Sequence, residues 1–489
     1  MKRSFIILLS FLSVCFIACK ENTTDGMYED KIGFLNSGEQ LIGAYIANTE
    51  IEFESPVYKS GIGTGQANVV ASLDEATLDE YNLAKETDYE MMPADCYTIT
   101  NSDFVLNKDN KNGVVKIKID VKKLQALQGV MNQKYVVALK LAVNGDIALN
   151  SSKSTMILIP EITGGIRPNS AKVLWNKTFL DMGIPNDNNA GSFAVTSQYV
   201  FVNGRSADLK YFDRFTGAYV GSVVLPFKGN LTNFTITADS KDNLLITNLR
   251  NSATGNALQT IYRIKGTSAP VKYIDLSHAY PNGRKLSVTG DLDQDAIITA
   301  TVENSSRVIY WLVKNGVLVS QTPQVYTADA TRITWATFAD AVALGTDLEK
   351  GMFIVGNGTR SNLGFFSKNG DSNAEYDLLG GGLDPASFRS QSLSYATFNG
   401  ASYLAVAAQK TNTEMLAVLF DVTKTSNLKL DPNSQKLIAY RSPSMTTLNN
   451  GNFTADVHLK VSDDLNTMVL YGLGTNGSVY AVQFDNDVP

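Results

Sequence analysis

The chain has 489 residues, more than one ordinary domain needs, and its 44% hydrophobic and 18% charged content excludes wholesale disorder. The formal net charge of −6 disfavours nucleic acid as a partner, because proteins that bind nucleic acid normally carry a basic surplus. Three cysteines and two histidines offer neither a cysteine cluster for zinc nor a multi-histidine metal site, so we expect no metal and no other cofactor.

Residues 1–19 have the order of a secretory signal. Two basic residues precede an uncharged apolar run over residues 5–17, which is too short to span a bilayer comfortably, and a small residue precedes Cys19. A cysteine at the cleavage point resembles a bacterial lipoprotein signal, with Phe16 in place of the usual leucine. The resemblance implies that the Cys19 thiol is lipidated and anchors the mature chain to the outer membrane. An ordinary signal peptide with an incidental cysteine is the alternative.

Residues 20–30 are polar and are predicted to form a tether between the lipid anchor and the folded part. The charged pair Lys20-Glu21, directly after the cysteine, resembles the export signals of Bacteroidetes surface lipoproteins. This resemblance implies that the protein is displayed on the cell surface.

Residues 31–161 are predicted to form the first domain. Several segments alternate apolar and polar residues as strands do, and one helix is predicted after Asp74, a suitable N-cap. The segment 74–97, which contains this helix and three tyrosines, is similar to the N-terminal domain of unknown function found in many Bacteroidetes outer-membrane lipoproteins. The resemblance implies an immunoglobulin-like β-sandwich with an inserted helix, which in that family usually precedes a carbohydrate-binding or carbohydrate-active domain.

Residues 162–171 concentrate glycine, proline and asparagine and are predicted to be a linker.

Residues 172–489 contain a weak internal repeat, in which a strand, a turn and a second strand recur six times. Most copies are followed by an aromatic strand that ends in a tight turn, as in Asn315-Gly316, and such turns are typical of hairpins. Two hairpins in each unit of about 40 to 65 residues indicate the four-stranded blades of a β-propeller. Two of the predicted first strands, at 333–338 and 393–398, match each other closely.

The ends of the repeat predict how it closes. The sixth unit stops after its third strand, at residues 480–484, whereas the strand at residues 173–179 opens the domain without a partner. Pairing these two strands would complete the last blade and remove two exposed sheet edges. We therefore predict a mainly β protein, an immunoglobulin-like β-sandwich followed by a six-bladed β-propeller. A seven-bladed propeller is the alternative if residues 425–454 hide another unit.

In a propeller, the loops before the first strand and between the second and third strands of each blade gather on one face. Here these loops are rich in basic, amide and hydroxyl groups, which hydrogen-bond the hydroxyls of a glycan, and several arginines would also suit uronic or sulfated sugars. The side chains predicted to bind the ligand are Arg205, Arg250, His278, Tyr280, Arg284, Arg332, Arg360, Arg389 and Lys410.

The sequence therefore predicts a surface lipoprotein that binds a glycan or oligosaccharide without cleaving it and delivers it to neighbouring uptake proteins. An enzyme built on a propeller, either a glycoside hydrolase or a polysaccharide lyase, is the first alternative. His278, Tyr280 and Arg284 are the residues that lyase chemistry would use, because it needs a base beside a group that neutralises charge. A protein-interaction scaffold is the second alternative.

Overall fold

A computed structural model of the chain describes residues 29–46, 48–129, 133–185, 190–229, 231–250, 258–282, 284–357, 362–376, 392–411, 414–446, 455–475 and 477–486. Contacts divide the chain into two compact units, with the boundary between Thr163 and Gly164. Both units are mainly β. The predicted signal peptide, Cys19 and most of the tether lie outside the described residues.

The first unit has short helices inserted among its strands. The strands are β1 (Lys31–Phe34), β2 (Gly38–Tyr45), β3 (Glu50–Lys59), β4 (Ala67–Leu73), β5 (Glu90–Met91), β6 (Tyr97–Thr100), β7 (Asp103–Leu106), β8 (Asn112–Asp120), β9 (Tyr135–Gly145), β10 (Ala148–Leu149) and β11 (Thr155–Thr163). The α-helices are α1 (Glu75–Lys85) and α2 (Val121–Gln128), and short 3-10 helices cover Ala94–Cys96 and Ser151–Lys153.

Both α-helices begin at an aspartate that caps the first turn. Asp74, the predicted N-cap of α1, accepts a hydrogen bond of 3.0 Å from Thr77 N. Asp120 accepts a bond of the same length from Lys123 N at the start of α2, a helix that the sequence pattern did not predict. At eight residues, α2 is too short for its apolar spacing to stand out from the flanking strands.

Two sheets of the first unit share one hydrophobic core. Their strand orders are β10-β1-β3-β8-β6 and β2-β11-β9-β4-β7, with β5 beside β9. Phe34 and Ile117 from the first sheet and Leu139 from the second belong to one buried cluster. The two sheets therefore pack face to face, and the buried side chains that alternate along β8 point into the space between them.

The second unit consists mainly of strands. Its strands are β12 (Lys172–Thr178), β13 (Ala190–Val195), β14 (Tyr199–Gly204), β15 (Leu209–Asp213), β16 (Tyr219–Val223), β17 (Thr235–Ala238), β18 (Asn243–Thr247), β19 (Leu258–Lys265), β20 (Val271–Ser277), β21 (Ser287–Gly290), β22 (Ala296–Thr301), β23 (Arg307–Lys314), β24 (Val317–Leu318), β25 (Gln324–Thr327), β26 (Phe338–Ala343), β27 (Met352–Asn357), β28 (Asn362–Phe366), β29 (Ser372–Tyr376), β30 (Leu393–Phe398), β31 (Ala401–Thr411), β32 (Glu414–Asp421), β33 (Ile438–Arg441), β34 (Met445–Thr446), β35 (Ala455–Val461), β36 (Thr467–Gly474) and β37 (Ser478–Asp485). A 3-10 helix covers Thr425–Lys429.

Within the described residues, these strands form six antiparallel sheets, numbered here 1 to 6 in chain order. Sheets 1, 2 and 4 are simple meanders, β13-β14-β15-β16, β17-β18-β19-β20 and β26-β27-β28-β29. In sheet 3 (β21-β22-β23) both β24 and β25 pair with β23, and in sheet 5 (β30-β31-β32) both β33 and β34 pair with β32. Sheet 6 has the order β35-β36-β37-β12, so the opening strand pairs with the last strand, as predicted.

The first strands of the six sheets follow one another in space. Contacts join β13 to β17, β17 to β21, β21 to β26, β26 to β30, β30 to β35, and β35 back to β13. Because each sheet is an antiparallel meander, the start of its first strand and the connection between its second and third strands lie at the same end. We call this end the upper face, and the end with the other turns the lower face.

Charged and hydroxyl side chains connect the first strands at the centre. The Asp456 carboxylate of sheet 6 lies 2.8 Å from Lys285 Nζ, accepts a hydrogen bond of 2.5 Å from Ser392 Oγ, and accepts another of 3.1 Å from Phe193 N. Lys285 precedes sheet 3, Ser392 precedes sheet 5, and Phe193 belongs to sheet 1. One buried carboxylate therefore links four sheets.

Asp340 of sheet 4 makes a second set of links. Its carboxylate accepts hydrogen bonds of 2.8 Å from Ser287 Oγ and 2.8 Å from Leu393 N. Burial raises the pKa of Asp340, and the positive charge of Lys285 opposes that increase. Asp340, Asp456 and Lys285 are all nearly inaccessible to solvent and line a cavity of about 50 Å³. We call these three side chains the central charge cluster.

Two predicted segments take different roles from those expected. The sequence predicts a first strand at residues 333–338, but β26 begins only at Phe338. Trp335 is buried ahead of that strand, where its indole Nε1 donates a hydrogen bond of 2.6 Å to Val302 O. Apolar residues that are buried in the connection before β26 therefore gave this segment the alternating pattern that is typical of a strand. In the described part of residues 425–454, β33 and β34 extend sheet 5 and do not form a further sheet.

Replacing Asp456 should destabilise the second unit. We expect Asp456→Ala to lower its free energy of unfolding by about 3–5 kcal/mol, because the Lys285 ammonium would remain buried without its counterion. Tryptophan fluorescence during urea unfolding isolates this unit, because the only three tryptophans, Trp175, Trp311 and Trp335, all lie in it.

The matched control is Lys368→Met, which removes an exposed ion pair with Glu349 and should change the free energy of unfolding by less than about 0.5 kcal/mol. Equal unfolding midpoints for the two variants would show that the central charge cluster does not hold the sheets together.

Candidate functional site

Two of the predicted ligand-binding arginines meet on the upper face. Arg205 follows β14 directly, and Arg284 lies three residues before β21. The Arg205 guanidinium carbon lies 4.1 Å from the centre of the Phe234 ring, and the Arg284 guanidinium carbon lies 5.9 Å from the same centre. Arg284 also lies 4.6 Å from the centre of the Phe338 ring. These four residues, called here the Arg–Phe row, alternate cations and aromatic rings across sheets 1 to 4.

A buried asparagine fixes the loop that carries Arg205. Asn233, which is fully buried, donates a hydrogen bond of 3.0 Å from Nδ2 to Gly204 O. Its Oδ1 accepts a bond of 3.3 Å from Ser206 N, and its backbone carbonyl accepts one of 3.0 Å from Asn203 Nδ2. The residues on both sides of Arg205 are therefore tied to the residue that directly precedes Phe234.

Backbone pairing and a buried charge fix the segment that carries Arg284. Arg250 and Asn282 form an isolated antiparallel bridge, with hydrogen bonds of 2.8 Å and 2.6 Å between their backbone groups. On the other side, Lys285 is held by Asp456 in the central charge cluster. Arg284 thus projects from a short segment whose two ends are both buried.

The Arg–Phe row concentrates positive charge in a partly buried place. The pKa of Arg205 is lowered to about 10, first because burial penalises the guanidinium and second because the Arg284 charge lies nearby. Over the residues that the structure describes, Arg205 makes no hydrogen bond or ion pair, and the Phe234 ring is its one close partner. The Arg205 guanidinium therefore has donors that no acceptor among the described residues occupies.

Arg250, His278 and Tyr280 form a separate cluster. The buried Arg250 lies with Nη1 3.0 Å from His278 Nδ1 and donates from Nη1 to Tyr280 O at 2.7 Å. Burial, followed by the Arg250 charge, lowers the pKa of His278 to about 4. The predicted lyase group is thus divided, because Arg284 packs on Phe234 and Phe338, while Arg250 fastens the His278 loop to sheet 2.

The other predicted residues do not join these clusters in the described structure. Arg332 lies six residues before β26, is exposed, and forms an ion pair of 3.5 Å with Glu375. Arg284 is closer to the start of its strand than Arg332 is, which explains why only Arg284 reaches the centre. Arg360 and Arg389 lie outside the described residues; Lys410 belongs to β31, but its side chain is also outside them.

A polar groove lies on the upper face and is lined by residues that precede Phe338 in sequence. It has a volume of about 650 Å³, and its lining ends at Ala336, two residues before Phe338. Amide, hydroxyl and guanidinium groups dominate the lining, which consists of Asn304, Ser305, Ser306, Arg307, Thr327, Ala330, Thr334, Trp335 and Ala336.

The sequence analysis missed Phe234, Phe338 and Asn233, although they organise the row. Each phenylalanine stands at the start of a first strand, where an apolar residue is normally assigned to the core. The available signal was their position, since the start of a first strand lies on the same face as the loops that were examined for ligand contacts.

Two further searches of the structure concern metals and membranes. In the part of the chain that is described, no group of three or more His, Cys, Asp or Glu side chains is arranged to hold a metal ion. None of the helices described there has the length and apolar character needed to cross a bilayer.

The fold and its upper face define a two-unit, mainly β protein with a two-sheet first unit and a repeated-sheet second unit. Residues 173–485 match the family model described as Domain of unknown function (DUF8500), and the chain belongs to this family. A second model, described as an N-terminal domain, matches residues 28–147. No curated protein matches the chain.

A solved structure from a Bacteroides species has a similar fold. A DUF4623 family protein from Bacteroides eggerthii DSM 20697 has a TM-score of 0.51 and 12% identity, covering 94% of this chain and 98% of that chain. A protein provisionally described as carbohydrate binding, from Bacteroides ovatus ATCC 8483, has a TM-score of 0.25 and 14% identity, covering 60% of this chain and 82% of its own. The first likeness shows a fold shared over nearly the whole chain.

The pKa of His278 leads to a prediction about stability. An unfolded histidine titrates near pH ~6.5, so below that pH the unfolded chain binds a proton that folded His278 does not bind until about pH 4. The free energy of unfolding should therefore fall as the pH decreases through this window. We expect His278→Gln to reduce the slope by up to about 1 kcal/mol per pH unit, in urea unfolding followed by tryptophan fluorescence.

Tyr280→Phe is the matched control, because it removes a hydroxyl from the same cluster and leaves the His278 ring and the ring beside it in place. Burial also lowers the pKa of His458, so part of the slope should persist in both variants. Parallel stability profiles for the unmodified chain and His278→Gln would contradict the assignment of a neutral, buried His278.

Proposed function

We propose that this protein is a cell-surface lipoprotein that binds a glycan without cleaving it, for a neighbouring polysaccharide uptake system. In this proposal the six sheets of the second unit are the blades of a closed six-bladed propeller. The cyclic contacts of the first strands and the pairing of β12 with β37 support that architecture.

The proposed location rests on the N-terminal sequence. Cys19 would carry the lipid anchor in the outer membrane, and residues 20–30 would form the tether. The first unit, taken as an immunoglobulin-like sandwich, would then act as a spacer that holds the second unit away from the membrane. The match of residues 28–147 to an N-terminal domain model supports this order of parts.

The polar groove is the observation that carries the proposed binding function. At about 650 Å³ it lies within the size range of small-molecule sites, and its walls offer amide donors, hydroxyl groups and a guanidinium. Such groups can donate to and accept from neighbouring sugar hydroxyls, which an apolar pocket could not do. The groove opens on the face where the loops converge, so a chain longer than one sugar could extend from it.

The surroundings of His278 favour binding over lyase chemistry. A general base works best when its pKa lies near the working pH, and the pKa of His278 is about 4. Its ring also contacts the Arg250 guanidinium, which discourages protonation of the imidazole. A neutral histidine that contacts an arginine is better suited to holding a loop in place than to transferring protons.

Filling the groove should abolish glycan binding. We expect Ala330→Trp, at an exposed alanine of the groove wall, to remove the retardation of the purified chain in affinity gels that contain a bound polysaccharide. The unmodified chain should be retarded by at least one polysaccharide and should release neither reducing ends nor unsaturated products from it.

Ala218→Trp is the matched control, because Ala218 is an exposed alanine in the turn between β15 and β16 on the lower face. It should leave retardation unchanged. Equal retardation of the two variants would place binding elsewhere, release of products would identify an enzyme, and no retardation on a broad polysaccharide panel would contradict glycan binding altogether.

A further inference from the structure

We propose that the Arg–Phe row is a receptor for an acidic substituent of the glycan, with a carboxylate or a sulfate bound by the Arg205 guanidinium, close to the Arg284 charge. This inference rests on the proposed glycan-binding function and narrows it to acidic glycans. Carboxylate and sulfate share the chemistry that matters here, a compact anion with several oxygen acceptors.

The geometry places two guanidinium groups around one aromatic ring. Their central carbons lie 4.1 Å and 5.9 Å from the centre of the Phe234 ring, so both cations lie within the range of a cation–π interaction. Each guanidinium has five N–H donors in a planar fork, which matches the paired oxygens of an anion. The donors of the Arg205 fork are not taken by any acceptor among the described residues, so this fork is the one that an anion would occupy.

The charge distribution calls for an anion at this position. Two like charges that are close together and partly buried repel each other more strongly than they would in water. The described residues give Arg205 a ring as its partner and no carboxylate. Burial first, and the repulsion from Arg284 second, lower the pKa of Arg205. A bound anion would relieve the repulsion. It would also accept hydrogen bonds from Arg205 donors that make none within the described structure.

The two acidic residues of the central charge cluster are already engaged. Asp340, two residues after Phe338, accepts hydrogen bonds from Ser287 Oγ and Leu393 N. Asp456 is paired with Lys285, the residue after Arg284. These carboxylates stabilise the centre of the second unit, whereas the arginines face the loops above it. An acidic ligand would therefore not compete with an internal ion pair of the central charge cluster.

The row is also rigid before any ligand arrives. Asn233 fixes the backbone on both sides of Arg205, and the bridge between Arg250 and Asn282 fixes the segment before Arg284. A site whose donors are held in place loses little conformational entropy on binding. The row and the polar groove belong to the same face, so a glycan long enough to reach both could place its hydroxyls in the groove and its acidic substituent in the row.

The test compares acidic glycans with uncharged forms of the same backbones. An array would carry oligogalacturonate and its methyl ester, a sulfated galactan and its desulfated form, and neutral hexose oligomers, probed with the full chain. We expect signals concentrated on the charged member of at least one pair, and the two pairs distinguish carboxylate from sulfate. Arg205→Met and Arg284→Met should each weaken that binding by roughly tenfold or more, measured by calorimetry.

Two further variants separate a role in binding from a role in folding. Arg205→Lys keeps the charge but loses the planar fork, so its affinity should lie between those of the unmodified chain and Arg205→Met. Lys368→Met removes one positive charge from an exposed turn and should leave the affinity unchanged. Urea unfolding followed by tryptophan fluorescence should show that the Arg205 variants remain folded.

The outcomes distinguish this inference from the function on which it rests. Binding to neutral and uncharged members only, or acidic binding that is unaffected by Arg205→Met and Arg284→Met, would overturn the acidic receptor while leaving glycan binding intact. An absence of binding to every glycan would overturn both. Equal losses in Arg205→Met and Lys368→Met would indicate a general effect of net charge and would also overturn the proposed receptor.

Discussion

The arrangement of the second unit depends on the buried contact between Lys285 and Asp456. Their charged atoms lie 2.8 Å apart, and the same carboxylate also accepts hydrogen bonds from Ser392 and Phe193. Taking these charges out of water is unfavourable, so the contact cannot be counted simply as stabilisation. Its effect is also selective, because the contact forms only when the residue ahead of sheet 3 and the carboxylate of sheet 6 are brought together. Hydrophobic clusters between neighbouring sheets then stabilise that placement.

The contact between Lys285 and Asp456 also constrains a residue of the upper face, because Lys285 directly follows Arg284 in the chain. Lys285 is buried at the centre, so the preceding residue, Arg284, must stand close to the axis around which the first strands lie. Arg205 arrives from a different sheet and is fixed by Asn233, which directly precedes Phe234. The row is therefore built from sequence neighbours of buried polar residues. Binding groups held in this way are better defined than side chains on a long free loop.

The sequence predicted strands and one long-range strand pairing, but not the contacts between buried side chains. The strand at residues 393–398 was predicted with the bounds of β30, and the opening strand was predicted to pair in the last sheet, because alternation and an unpaired edge are local signals. Residues 333–338 misled the same reasoning, because Trp335 is buried by a connection and not by a strand. Lys285 and Asp456 were unremarkable charges in sequence, since 170 residues of chain separate partners that only the complete fold brings together.

The two histidines of the chain, both in the second unit, make structural contacts. His278 contacts Arg250, and the Nε2 atom of His458 lies 2.7 Å from Phe193 O. Each ring therefore serves a structural contact. Burial lowers the pKa of both, which keeps them neutral near pH 7. The described lining of the groove and the row offers guanidinium, amide and hydroxyl groups, whose strength lies in donating hydrogen bonds rather than in transferring protons. In the proposed function, such groups would select a ligand by the position of its acceptors and by the negative charge that it carries.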